Sequence, residues 1–215
     1  MAYDLEEQEQ LDSIKAWWAE IRQPGHLGAD HRAGWLCWLD QVGIPTQGRQ
    51  SAQASVLYEE HQKSLAAKDN AKVQRAAADI QDKFSGTAYA QMSALVAAKS
   101  AFDANDADTA KKQLQWVIDH GRGKEYKAIA AVRLAGVLLD AKAYDEALKV
   151  LGGDYPAQFA GAIADRKGDV LLAQGKRDEA RSAYKLALEK SDAKDPGRQL
   201  IQIKLDAIGG EAPKA

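Results

Sequence analysis

With 215 residues, a net charge of −2 and a pI near 6.1, the chain offers no basic footprint for nucleic acid. Its single cysteine, Cys37, excludes an internal disulfide framework. As written, no run approaches the roughly 18 apolar residues of a membrane span, and the acidic start with no apolar h-region behind it predicts no cleavable signal peptide. Hydrophobic residues reach 46%, much of it alanine, which suits closely packed helices in a repeat array better than one large core.

Residues 4–22 read as an acidic amphipathic helix. Leu5, Leu11, Ile14, Trp17, Trp18 and Ile21 form its stripe, and Asp4, Glu6 and Glu7 suit the positive end of the helix dipole. Trp17 and Trp18 fit either packing or a membrane-interface anchor. Residues 23–48 match no other part of the chain. They hold Pro24 and Pro45, five of the 17 glycines, Trp35, Trp38 and Cys37, and two of the four histidines, His26 and His31. The spacing of His26, His31 and Cys37 matches no standard zinc pattern, so no metal site is expected.

A loop of that length is unusual inside a compact domain, and a shifted reading frame offers another account of it. With suitable synonymous codons, the bases encoding residues 22–43 read one position later give an apolar run with aromatic residues, long enough to cross a bilayer. On that hypothesis two compensating frameshifts, near residues 19–22 and 43–49, have garbled a transmembrane helix. The coding DNA decides it.

Helical patterning resumes at Arg49. Ala52, Val56, Leu57, Leu65 and Ala66 make one predicted face, and Val73, Ala76, Ala77 and Ile80 the next, with a break at Asp69-Asn70. Residues 88–120 form a second hairpin turning at 104–106, and residues 126–151 a third turning at Lys142-Ala143. Residues 162–190 form a fourth, in which Gly175 stops the first helix and Ala180, Ala183, Tyr184, Ala187 and Leu188 mark the second. Asp195-Pro196 start a last helix carrying Leu200, Ile201, Leu205 and Ile208, which caps the apolar end of the stack. Residues 211–215 are a tail.

The hairpins repeat. Val137-Leu138-Leu139, Asp145, Glu146 and Ala147 return as Val170-Leu171-Leu172, Asp178, Glu179 and Ala180, 33 residues later, and Ala101-Phe102 and Ala110 give a weaker copy 37 residues upstream. A period in the mid-thirties with a small residue opening the second helix is the tetratricopeptide (TPR) signature. The expected fold is all-α: a TPR-like α-solenoid of about four helical hairpins over residues 49–210, a C-terminal capping helix, and the amphipathic helix of residues 1–22 in front.

Two stretches carry a closer resemblance. One is the opening DLEEQEQLDSIKAWW followed by SAQASVLYEEHQKSLAAKD. The other is AFDANDADTAKKQLQWVID with RLAGVLLDAKAYDEALKVL, RKGDVLLAQGKRDEARSAYKLAL and LIQIKLDAIGG. Together they resemble the ancillary SecYEG translocon subunit family of Gram-negative bacteria over nearly the whole chain except residues 23–48. The resemblance implies a short cytoplasmic N-terminus, one inner-membrane helix and a periplasmic TPR-like domain. It also implies partners in the Sec translocon and in a membrane-anchored periplasmic chaperone of the peptidyl-prolyl isomerase type. Where the family has its transmembrane helix this chain has residues 23–48; if those are genuine, a cytoplasmic location follows.

No catalytic constellation is expected: the histidines are scattered, and the Asp-Glu pairs at 145–146 and 178–179 sit where helices start. With the register set by Ala98, Ala135 and Gly168, a partner-binding groove on the first helices takes Met92, Leu95, Lys99, Phe102, Ile129, Val132, Gly136, Leu139, Asp165, Asp169 and Leu172. Its apolar character suits an extended hydrophobic segment or a partner helix; alternatively the protein's own last helix, or the helix of residues 4–22, fills it. The function expected is non-enzymatic protein–protein interaction, in the export machinery or as a soluble TPR scaffold, with no cofactor.

Overall fold

The computed structural model describes residues 44–209. All regular structure among the described residues is helical: α1 (Ile44–Ala66), α2 (Asn70–Phe84), α3 (Ala88–Asp103), α4 (Ala107–His120), α5 (Lys124–Asp140), α6 (Tyr144–Leu151), α7 (Ala160–Ala173, entered through the 3-10 turn Ala157–Phe159), α8 (Arg177–Lys190) and α9 (Gly197–Ala207). α1 begins inside the stretch read from sequence as irregular, with Pro45 in the first turn, where the N–H it lacks would have had no partner. The helix predicted for residues 4–22, the zinc candidates His26, His31 and Cys37, and the shifted-frame segment of residues 22–43 lie outside the described residues.

Four turns of one design show that these helices are repeats. Lys68, Asn105, Lys142 and Gly175 all adopt positive φ, at 55°, 61°, 59° and 80°, and they recur 37, 37 and 33 residues apart. At each, the following residue's N–H bonds back five residues (Asp69 to Ser64, Asp106 to Ala101, Ala143 to Leu138, Lys176 to Leu171, 2.8–3.1 Å). The positive-φ residue itself bonds back three. This Schellman arrangement satisfies the last carbonyls of the first helix and reverses the chain at once. The second helices of the first two hairpins are then capped by Asp69 and Asp106, whose carboxylates accept from the Lys72 and Thr109 backbone N–H at 3.0 Å.

Within a hairpin, a small residue on the first helix faces a large one sixteen positions later. Ala98 stands with Leu114, Ala135 with Leu151 and Gly168 with Tyr184, all buried. The pairing is tightest in the last hairpin, where a Cβ on Gly168 would lie 2.5 Å from the Tyr184 ring. The main core gathers Ala94, Leu95, Ala98, Leu114, Val117, Leu134, Leu138, Leu151 and Val170 from α3 to α7. A second gathers Ala164, Ala180, Tyr184 and Ala187 with Ile201, Leu205 and Ile208 around α9. α9 therefore covers the last hairpin's apolar side, as a terminal unit must, and leaves Leu200 and Ile203 outward.

The first hairpin departs from the pattern. The face predicted on α1 is only partly the buried one: Leu57 and Leu65 are partly buried and Leu65 packs on Val73, Ala77 and Ala97, but Val56 is 59% exposed and Ala52 and Ala66 are exposed, while Ala54 and His61 are fully buried. His61 occupies the position held by Ala98, Ala135 and Gly168 in later repeats, and Ala77 the large-residue position, so the sizes are reversed. A purely apolar periodicity count missed this because the inward residue is an imidazole, seated beside Tyr58 (ring centroids 5.8 Å), which in turn meets Tyr89 of α3 at 5.5 Å.

Both ring nitrogens of His61 lack a hydrogen-bond partner, and burial holds its pKa below the usual 6.5. The folded state thus resists protonation more than the unfolded chain does. The stability this permits is present above about pH 6.5 and is lost as pH falls through that value. The urea midpoint should drop between about pH 7 and pH 5, and His61→Phe should flatten that drop; an equal drop in both proteins would remove His61 as the cause.

Candidate functional site

The structure divides the predicted groove into an open part and a covered part. The repeat offsets explain why these positions share a face: Lys99, Gly136 and Asp169 are equivalent, as are Phe102, Leu139 and Leu172. On α3, Lys99 is exposed and Phe102 is 44% exposed, while Met92 is partly buried. Ile129, Val132 and Leu139 on α5 are also partly buried and rest on the main core. Leu95, however, lies in that core at 8% exposure and is not groove-facing. Its neighbour at the small-residue position, Ala98, brings α4 so close that Leu95 is enclosed with Leu114. Lys99 forms an ion pair with Asp103 one turn on (2.5 Å), too exposed to contribute much stability.

At the other end the groove is filled by the molecule itself. Lys204 of α9 reaches Asp165 and Asp169 of α7, with its Nζ 2.8 Å from Asp165 Oδ1 and 2.8 Å from Asp169 Oδ1. The Tyr184 hydroxyl donates to Asp169 Oδ1 at 2.8 Å, and Arg166 approaches Asp169 Oδ2 at 3.2 Å. The three charged side chains of the Lys204 bridge are only 15–23% exposed, so one cation neutralises two carboxylates largely out of water. Burial, and after it the bond to Asp169, push the Tyr184 hydroxyl's pKa upward, so it remains a donor. Leu172 packs with the α9 cluster. Asp165, Asp169 and Leu172 thus seat the capping helix and are not free to receive a partner.

Arg166 was not foreseen either. It lies over Gly136 of the preceding hairpin, with its guanidinium carbon 3.7 Å from where a Cβ there would stand. The bare surface of Gly136 is therefore a bed for Arg166, and first helices α5 and α7 touch across it. Two acids on an otherwise apolar helix face did signal a nearby cation, but nothing local said that it would come from Lys204, 35 residues beyond Asp169.

Nothing in this arrangement presents a nucleophile to a base. Among the described residues no group of three or more His, Cys, Asp or Glu side chains is placed to hold a metal ion, and no helix is long and apolar enough to cross a membrane.

The profile of the tetratricopeptide repeat-like domain family matches residues 15–210. An ancillary SecYEG translocon subunit of Neisseria gonorrhoeae is 33% identical over 212 residues, 97% of this chain and 100% of the relative. The chain belongs to this family. Relatives with the same description in Haemophilus influenzae and Escherichia coli are each 28% identical, over 97% and 94% of this chain and 100% and 96% of their own lengths. The family resemblance read from the repeats and the N-terminal stretch is thereby confirmed, and so is the all-α, TPR-like fold.

Proposed function

We propose that this protein is a non-catalytic accessory of the SecYEG translocon that binds other proteins through the open part of its first-helix surface. The observation that carries the reading is the relationship to ancillary SecYEG translocon subunits along essentially the whole chain. In this reading Met92, Lys99, Phe102, Ile129, Val132 and Leu139 receive an extended apolar segment, either from an exported protein or from a periplasmic chaperone of the peptidyl-prolyl isomerase type that the protein links to the translocon. Partly buried aliphatic positions flanking one outward aromatic residue supply the kind of anchor on which such contacts depend.

The same reading puts the repeat domain, residues 49–210, in the periplasm and the membrane anchor at residues 23–48, restored by the shifted frame. Nucleotide sequence across codons 18 to 50 tests the frame. Fractionation tests the location: protease should reach the repeat domain only after the outer membrane is opened. A protein recovered in the soluble cytoplasm would favour a TPR scaffold with an unrelated client.

The surface itself is tested with Met92→Asp/Phe102→Asp, two positions that can change without opening the core, unlike Leu95. Co-purification with SecYEG or with a crosslinked exported chain should fall about tenfold while the helical circular dichroism signal is retained. Unchanged co-purification would reject this surface.

A further inference from the structure

The third hairpin is short of helix. Its second helix, α6, has 8 residues, whereas α2, α4 and α8 have 15, 14 and 14. The chain leaves α6 at Gly152-Gly153, and Tyr155 folds back, its hydroxyl donating to the Val150 carbonyl at 2.8 Å. The Tyr155 ring fills the space a side chain at Gly153 would need, 2.6 Å from an added Cβ. About six residues of helix, roughly 9 Å, are therefore missing from the outer layer. Beside the place where they would run, a cavity of about 770 Å³ opens between α4 and α6, over α5. A smaller one of about 230 Å³ lies on the far side of Tyr155, toward α7 and α8.

The larger cavity has a consistent chemistry. Ile118, Leu138 and Val150 line it, and Lys111, Lys112, Lys149 and Glu146 stand around it. Lys111 is bonded to Asp108 at 2.9 Å. Lys112 and Lys149 form no direct ion pair among the described residues, and with Glu146 as the one acid in the lining the rim stays slightly positive above an apolar bed. By the 37-residue offset Leu114 matches Leu151, where α6 stops, so Ile118 stands one turn beyond that level, partly buried against the main core.

We propose that this cleft, on the second-helix side and independent of the first-helix surface, docks an acidic amphipathic helix of a partner protein. The guest lies in the gap left by the short α6. Its apolar stripe meets Ile118, Leu138 and Val150, and carboxylates on its flanks meet Lys112 and Lys149. With Lys111 answered by Asp108, Lys112 and Lys149 against Glu146 leave a small positive excess, which favours an acidic guest over a basic one.

The test uses the full chain and a fluorescein-labelled synthetic helical peptide with leucines at i, i+4 and i+7 and glutamates on both flanks. Its counterpart carries lysine at every glutamate position. Fluorescence anisotropy should show saturable binding of the acidic peptide, about tenfold or more tighter than the basic one. Lys112→Glu/Lys149→Glu should weaken it about tenfold, and Phe102→Asp should leave it unchanged. Both lysines are exposed, so melting curves of the variants should match the parent; Lys112→Gln/Lys149→Gln should show a smaller loss in the same direction. No saturable binding, equal affinity for the two peptides, insensitivity to the lysine changes, or equal loss with Phe102→Asp would each overturn the proposal. So would sedimentation showing that a second copy of this chain occupies the cleft in place of the peptide.

Discussion

Gly168→Ala should lower stability by about 2–3 kcal/mol, a fall in Tm of roughly 5–10 °C for a domain of this size. The added Cβ would sit 2.5 Å from the Tyr184 ring. The ring cannot yield easily, because it is 1% exposed and its hydroxyl is tied to Asp169. The preceding hairpin supplies the remedy, since it holds Ala135 against Leu151 where this one holds Gly168 against Tyr184. Tyr184→Leu alone should also destabilise, by about 2 kcal/mol, through the void it leaves beside Gly168 and the lost hydroxyl bond. The double variant should cost clearly less than the two single costs together, because each change removes the defect of the other. Thermal melts of the four proteins measure this; strictly additive losses would show that the two positions are not the coupled pair described.

Lys204→Met should release the capping helix. Its Nζ answers Asp165 and Asp169 at once, and the three groups are mostly screened from water. Removing the cation leaves two carboxylates one helical turn apart to repel each other in a partly desolvated site, with only Arg166 and the Tyr184 hydroxyl left to Asp169. A fully buried broken pair costs about 3–5 kcal/mol, and the residual exposure here reduces the expectation to about 2 kcal/mol. The loss should concentrate in α9. Amide protons of residues 201–208 should exchange faster, while those of α3 and α5 keep their protection. Asp165→Asn/Asp169→Asn in the same background should restore part of the stability, since the repulsion is then gone. Unchanged exchange in α9 would mean that its apolar contacts alone hold it.

Hairpin boundaries were legible because they rest on local chemistry. The break at Asp69-Asn70, the turns at 104–106 and Lys142-Ala143 and the stop at Gly175 all coincide with the four positive-φ turns. The shortness of α6 was also readable from Gly152-Gly153 following so soon after the turn at Lys142. The groove residues follow from transferring one register between repeats, which brings Lys99 and Gly136, and Phe102 and Leu139, to equivalent positions. The transfer failed at Leu95, enclosed by the close approach of α4. It failed again at Asp165, Asp169 and Leu172, because the last hairpin has a neighbour the others lack. On α1 an apolar count chose Val56 over His61, although the repeat register itself would have placed His61 inward.

The sequence by itself determined the helices, their period, the turn residues and membership of the family. Each of these depends on residues within a few turns of one another, or on a pattern that recurs at a fixed offset. Only the tertiary structure decided that Lys204 closes one end of the groove, that Arg166 lies across Gly136, and that an unfilled cleft stands beside the short α6. Those features join side chains 30 or more residues apart or arise where a helix is absent, and local propensity carries no information about which distant group arrives or which space stays empty.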